Sequence, residues 1–272
     1  MKFLLLMITI NTYADIEFIA HRGQSSDHKE NSIQAIKAAV LTGFDYIEID
    51  IHRTRDGKII AIHDDSVNRT TEFEGKVRDL TLEQIKKMDP SIPTLNEVYE
   101  LLAGSPSKLI VEIKNTDNIY PGVELEVVMT SRNYPSTKTT FKSFSRKSLD
   151  AIHQFDPGLE ILFVTIGPLW KFNLYIDDWL RIGSILDYKK AKLVQVHKSF
   201  LNKSFVEKAH ANQVKVIAWD VQTFKDYMKV KKLGVDLIET DHPPASLTLI
   251  QVSLSRFSSS VCSPLGSLWY HF

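Results

Sequence analysis

Residues 45–63 read DYIEIDIHRTRDGKIIAIH, two β-branched runs joined by a short polar turn. Alternate residues of a strand share a face, so the first run puts Glu48, Asp50 and His52 on one side and Ile47, Ile49 and Ile51 on the other. Such a strand needs an apolar layer behind it and a polar space in front. The turn at 53–57 is too short to join parallel neighbours, which takes about a dozen residues or more. Residues 58–63 must therefore fold back antiparallel, as a hairpin arm that carries His63 toward the strand bearing the acids.

Setting that arm aside decides the strand count. Strand-like runs stand at 17–20 (EFIA), 45–52, 58–63, 108–114 (KLIVEIK), 139–144 (TTFKSF), 159–165 (LEILFVT), 192–197 (KLVQVH), 214–219 (VKVIAW) and 235–239 (VDLIE). Eight remain once the arm is removed. Helix-periodic stretches separate them, such as SIQAIKAAVLTG, where Asn31 and Gln34 read as N-cap and N3 and Gly43 as the stop. Repeated strand-helix units predict an α/β fold: a TIM-type (β/α)8 barrel with a short hairpin arm and little or no inserted cap domain. No Ser/Gly linker or charge block interrupts the pattern, so one domain is expected over 15–257. Residues 258–272 form a tail with no period that assigns it.

Lys plus Arg number 33 and so do Asp plus Glu. That balance leaves no global field to hold nucleic acid or an anionic membrane, so an anionic ligand has to be gripped by a local site. The single cysteine, Cys262, excludes an internal disulfide and any Cys-rich metal site. Residues 1–14, MKFLLLMITINTYA, run from a basic residue through an apolar stretch to small polar ones, the order of a short signal peptide cleaved after Ala14. The expected location is periplasmic or secreted, or cytoplasmic if the leader stays. The apolar stretch is far too short to cross a bilayer core of ~30 Å as a helix, so no stable membrane insertion is expected.

The acidic face of 45–52 recurs in VEIK, where Glu112 and Lys114 share a side. Three carboxylates from two strands then converge with a lysine. Buried acids repel one another unless they are protonated or bridged by a cation. An all-oxygen set suits one divalent cation, Mg²⁺ or Ca²⁺, better than Zn²⁺. Two histidines stand nearby in the expected fold: His21 ends the first strand in IAHRG and His63 ends the arm in AIHDD, toward the carboxyl ends where barrel enzymes keep their sites. His52 is intermediate, on the carboxylate face but past the expected strand end. His28, His153, His197, His210, His242 and His271 are assigned to surface or core.

These pieces, at these spacings, resemble the glycerophosphodiester phosphodiesterase family. The matching segments are IAHRG (19–23), EN (30–31), GFDYIEIDIHRTRDG (43–57), IAIHDD (60–65), IPTLNEV (92–98), VEIK (111–114), SF (143–144), AW (218–219) and GVDLIETDHP (234–243). The resemblance implies a TIM-type barrel that hydrolyses small-molecule glycerophosphodiesters to an alcohol and glycerol 3-phosphate. It implies His21 and His63 as the acid-base pair, Glu48, Asp50 and Glu112 as metal ligands, and Arg22 and Lys114 as phosphate-binding groups. Glu30 and Trp219, in the matching EN and AW segments, are counted with the substrate-binding residues. Lysophospholipase D action on lysophospholipids and non-catalytic binding of glycerophosphodiesters stand as alternatives. Two departures from the family pattern bear on substrate preference. Pro90 and Ser91 nearly close a gap that is often longer, and Asp220 and Gln222 stand where the family usually has Thr and Asn.

Overall fold

The apolar runs become strands, and eight of them close into a parallel ring. The protein is described by a computed structural model covering residues 16–169, 174–177 and 179–248. Strand β1 (Glu17–Ala20) leads to α1 (Ile33–Leu41), β2 (Tyr46–Arg53) and β3 (Ile59–Ala61). Next come α2 (Leu82–Met88), α3 (Leu95–Leu102), β4 (Lys108–Ile113), α4 (Val123–Arg132), β5 (Thr139–Ser143), α5 (Arg146–Phe155) and β6 (Ile161–Thr165). Three short strands follow, β7 (Gly167–Leu169), β8 (Leu174–Ile176) and β9 (Leu180–Ile182). The described chain ends with β10 (Leu193–His197), α6 (Lys203–Ala211), β11 (Lys215–Trp219), α7 (Phe224–Leu233), β12 (Leu237–Thr240) and α8 (Pro244–Thr248).

Around the ring the order is β1, β2, β4, β5, β6, β10, β11, β12. Closure comes from β12 on β1, with Glu17 beside Leu237 and Ala20 beside Thr240. Outside the ring, β3 lies antiparallel on β2, Ile51 opposite Ala61 and Arg53 opposite Ile59, as the short turn requires. The arm has its own apolar cushion, in which Ile60, Ile62, Val67, Val77, Ile85 and Ile92 pack together. That cushion gives the loop carrying His63 a fixed base.

The isoleucine face of β2 does what its alternation predicts. Ile47, Ile49 and Ile51 are almost wholly buried and share one core with Ile36 and Ala39 of α1 and Val98 and Leu102 of α3. Burial of each stabilises the barrel by roughly 1.5–3 kcal/mol relative to exposure. Inside the ring, Ile19, Tyr46, Ile110, Leu162, Leu193, Ile217 and Leu237 form a second apolar cluster. Two residues further along four of those strands stand Glu48, Glu112, Gln195 and Glu239, all buried, with Lys142 inward on β5. The lower half of the barrel is thus plugged with hydrocarbon and the upper half is polar.

Gly23 shows why the β1–α1 turn needs glycine. Its φ is +77°, and a Cβ there would lie 2.7 Å from the Ala35 carbonyl carbon, so any side chain would push α1 off the barrel.

Three local features differ from the sequence expectation. The N-cap of α1 is Ser32, whose side chain accepts from Ala35 N, not Asn31; Asn31 is drawn away because its amide is bonded to Asp50. His52 lies inside β2, which runs on to Arg53. Between β6 and β10 the described residues hold no α-helix; β7, β8 and β9 form a small antiparallel sheet on the rim, centred on β8. Strands of three residues are too short to display an alternation. The proposed leader at 1–14 and tail at 258–272 lie outside the described residues, as does the end of the domain beyond 248. Among the described residues no helix is long and apolar enough to cross a membrane.

Candidate active site

Strand alternation aims Glu48 and Asp50 of β2 and Glu112 of β4 into the upper barrel. One carboxylate oxygen from each lies within 4.8 Å of the others, and all three residues are buried. Asn31 fixes Asp50 twice, donating Nδ2 to Oδ2 at 3.0 Å and accepting from its backbone N–H at 3.1 Å. Arg22 sits in the left-handed region at φ 58°, uncommon without glycine. Its N–H donates to Glu48 Oε2 at 3.0 Å and its guanidinium lies 3.3 Å from Asp50 Oδ2. Lys114 contacts Asp50 Oδ1 at 2.9 Å and also bonds Glu112.

A second lysine stands in the same cluster. Lys142, almost wholly buried, lies 3.0 Å from Glu48, 2.9 Å from Glu112 and 3.2 Å from Glu239. Neither Lys142 nor Glu239 was picked out in the sequence. Had TTFKSF and VDLIE been divided into faces as DYIEIDIH was, both would have pointed inward.

Charge and burial pull these groups apart. Burial raises the Glu48 carboxyl; Lys142 offsets part of that, Asp50 and Glu239 add to it, and the pKa stands at about 7. For Asp50 the same burial penalty is overcome by Lys114 and Arg22, which hold it well below the usual carboxylate range. Glu112, likewise buried, is brought to about 2 by Lys114 and Lys142. Burial alone would lower Lys142, but Glu112, Glu239 and Glu48 hold it well above an ordinary lysine. The three carboxylates therefore differ in how well their charge is balanced, and Glu48 is the least satisfied.

Each of the two sequence-predicted histidines has a carboxylate at its back. His21 Nδ1 is 2.8 Å from Asp241 Oδ1, and Asp241 is steadied by Ser25 Oγ at 2.9 Å and Gln222 Nε2 at 2.8 Å. Gln222, one of the departures from the family pattern, thus braces the acid that orients His21. His63 Nδ1 is 2.7 Å from Asp64, its carbonyl is 3.1 Å from His52 Nε2, and Arg69 clasps Asp64 at 2.6 Å. Arg69 reaches on to Glu30, which takes Arg22 at 3.1 Å, so one chain of ion pairs runs from the His63 loop to the His21 loop. With Nδ1 committed to a carboxylate in both, Nε2 is the nitrogen left for chemistry.

The pair is also split electrostatically. Burial alone would depress His21, but the hydrogen bond to Asp241 and the charges of Glu239 and Glu48 outweigh it, and the pKa rises to about 9. At His63 burial again depresses the value, Lys114 and Arg22 depress it further, and Asp50 and Asp64 only partly oppose them. His21 is biased toward the protonated form and His63 toward the neutral one.

Both histidines open on one cavity of about 130 Å³, walled also by Arg22, Asp50, Glu112, Lys114 and Trp219. Trp219 anchors its Nε1 on the Thr165 carbonyl at 3.2 Å. Glu30 does not line this space; it lies behind Arg22 and Arg69. His52 is a structural residue, held between Tyr120 Oη at 2.9 Å and the His63 carbonyl. Two larger surface clefts, of about 440 Å³ beside Pro157 and about 420 Å³ between α4 and α5, hold none of these groups.

A (β/α)8 barrel with acids, bases and cations gathered at the carboxyl ends of its strands is the framework of an enzyme. The model of the Glycerophosphoryl diester phosphodiesterase family matches residues 21–245, and the chain belongs to that family. Among its relatives is a glycerophosphodiester phosphodiesterase of Caldanaerobacter subterraneus, 34% identical over 247 residues that cover 86% of this chain and 97% of the relative. Another, of Bacillus altitudinis, is 30% identical with coverage of 86% and 97%. Among solved structures, an Oleispira antarctica phosphodiesterase in complex with the product sn-glycerol-3-phosphate superposes with a TM-score of 0.71 at 24% identity, covering 88% of this chain and 96% of that one. The glycerophosphodiester phosphodiesterase of Thermotoga maritima gives 0.67 at 22% identity, covering 87% and 98%.

Proposed function

We propose that the protein hydrolyses glycerophosphodiesters to an alcohol and sn-glycerol 3-phosphate, with His63 as general base, His21 as general acid and a divalent cation on Glu48, Asp50 and Glu112. The observation that carries this reading is the joint placement of two oppositely biased histidines around one cavity walled by Asp50 and Glu112, two members of a three-carboxylate cluster completed by Glu48. The donor set fits a hard cation: three carboxylates, no sulfur and no ligating histidine, with Glu48 incompletely neutralised. Four carboxylates, Glu48, Asp50, Glu112 and Glu239, face three fixed cations, Arg22, Lys114 and Lys142, so the floor by itself offers an anionic diester no surplus positive charge. A divalent ion held by Glu48, Asp50 and Glu112 would supply that surplus and would polarise the phosphoryl oxygens.

The chain's own groups do the rest. Arg22 and Lys114 grip the non-bridging oxygens. His63, neutral at Nε2, takes the proton from the attacking oxygen: either water, which gives sn-glycerol 3-phosphate directly, or the neighbouring glycerol hydroxyl, which gives a cyclic phosphate that water must then open. As the new P–O bond forms and the bond to the alcohol breaks, protonated His21 gives its proton to the departing alkoxide, which leaves as a neutral alcohol. Asp241 and Asp64 hold the two rings in place, as carboxylates behind catalytic imidazoles do.

Release of sn-glycerol 3-phosphate from glycerophosphocholine, followed with chelator and then with Mg²⁺ or Ca²⁺ restored, tests the proposal. Activity should vanish and return; full activity in a metal-free, chelated sample contradicts it. One observation favours a second substrate class. Trp179, Leu180 and Ile182 are 64%, 62% and 86% exposed on the small sheet that begins where β6 ends. An apolar rim there suits the acyl chain of a lysophospholipid. A higher kcat/KM on lysophosphatidylcholine than on glycerophosphocholine would select that reading.

A further inference from the structure

Gln195 is the buried polar side chain in this cavity that has no work in the mechanism above. It is wholly buried on β10, and neither its amide nitrogen nor its carbonyl oxygen has a hydrogen-bond partner, yet it lines the same cavity as His21, Asp50 and Trp219. Its neighbours in register, Val164 on β6 and Ile217 on β11, are apolar and offer it nothing. An amide buried without partners costs about 1–3 kcal/mol. A carboxamide held dry against the wall of a reaction space therefore points to a polar group that arrives with the ligand.

Geometry limits what that group is. In the ring order β10 stands four strands from β2 in either direction, directly across the barrel. Gln195 thus faces the wall that carries Glu48 and Asp50, with Arg22 above it. A diester whose phosphate is held on that side presents one of its two esterified halves to the β10 and β11 wall. The cavity, at about 130 Å³, is well below the ~300–1,000 Å³ of pockets that take drug-sized ligands. It is of a size for a short polyol. Trp219 supplies an apolar surface for the carbons of such a fragment, and a carboxamide is suited to its hydroxyls, since it donates from nitrogen and accepts on oxygen.

Resting on the function proposed above, we infer that Gln195 hydrogen-bonds the free hydroxyls of the glycerol moiety and is the residue that selects the glycerophosphoryl half of the substrate. A site built to bond a hydroxyl discriminates strongly against a ligand that lacks it.

The test compares wild type with Gln195→Leu and Gln195→Met on glycerophosphocholine and on bis(p-nitrophenyl) phosphate, a diester without hydroxyls. The ratio of the two kcat/KM values should fall by about 10- to 100-fold in both variants. Affinity for sn-glycerol 3-phosphate relative to inorganic phosphate, measured calorimetrically with divalent cation present, should fall in parallel. The Tm of the unliganded variants should equal or exceed that of wild type, because an unpartnered amide has been replaced by hydrocarbon. Ratios within about two-fold of wild type overturn the inference. So does a large loss of Tm in both variants, which would mean that the amide holds the fold. A wild type inactive on glycerophosphocholine under all metal conditions removes the functional reading itself, whereas an active wild type with unselective variants removes only the role of Gln195.

Discussion

Lys142→Met removes the cation that three buried carboxylates share. Lys142 lies 3.0 Å from Glu48, 2.9 Å from Glu112 and 3.2 Å from Glu239, and methionine fills a similar volume without the charge. Taking one partner from a buried ion pair costs roughly 3–5 kcal/mol, because the other is left uncompensated. At ~2–4 °C per kcal/mol for a chain of about this size, Tm should drop by roughly 6–20 °C in chelator. The loss should be pH-dependent in a stated direction. Burial with Asp50 and Glu239 already holds the Glu48 carboxyl at about 7, above its ordinary 4.5, even with Lys142 opposing. Without Lys142 that value rises further. A carboxyl raised in the folded state contributes stability below its unfolded pKa and loses it as pH rises through the folded one. The part of the deficit due to Glu48 should therefore be absent in acid, begin to develop near pH 7 and be full only above the variant's raised pKa. A divalent cation should raise the stability of wild type and variant alike, by about 2.7 kcal/mol at a hundred-fold excess over Kd, so the deficit itself is read in chelator. Thermal unfolding followed by circular dichroism, across pH and with or without Mg²⁺, reads all three effects. A variant as stable as wild type at about pH 8 in chelator would refute the reasoning, because the three acids would then not depend on Lys142 for compensation.

Further outcomes follow from the same geometry. The pH dependence of kcat/KM should be bell-shaped, rising with a pKa below 6.5 as His63 loses its proton and falling with one near 9 as His21 loses its own; Asp241→Asn should move the upper limb to lower pH. Asn31→Ala, which frees Asp50 from two hydrogen bonds, should weaken Mg²⁺ or Ca²⁺ binding by ~10- to 100-fold, read by calorimetric titration of the metal alone. Protein recovered from an exported fraction should begin at Asp15 on N-terminal sequencing; intact Met1 would contradict removal of the leader.

What the sequence made visible was set by strand periodicity. Glu48, Asp50 and Glu112 could be paired in advance because each stands one alternation from another polar residue, so two facing side chains marked the inner surface. Lys142, Gln195 and Glu239 obey the same rule, but no second acid or lysine shares a face with any of them within its run, so nothing there marked a charged inner surface. The eight-strand count was legible because the turn at 53–57 forbade a parallel crossover. The rim sheet β7–β9 was not, since no three-residue strand displays a period. The residues that orient the histidines were hidden for another reason. Asp241 is 220 positions from His21 and meets it only when β12 closes on β1. Glu48 and Glu239 come from strands 94 and 97 positions from Lys142. Asn31 was misplaced as a helix cap because its local sequence suits a cap as well as Ser32 does, and only the nearby Asp50 decides between them.

The claim that His63 takes the proton and His21 gives it is tested most directly by varying the leaving group in the two alanine variants. On glycerophosphocholine, whose alkoxide must be protonated to depart, His21→Ala and His63→Ala should each lower kcat by ~10²–10⁴. On a glycerophosphodiester of p-nitrophenol, which leaves without a proton, His21→Ala should recover most of its activity and His63→Ala should not. Rescue of His63→Ala alone would reverse the assignment, and near-normal kcat of both variants on glycerophosphocholine would contradict a histidine pair altogether.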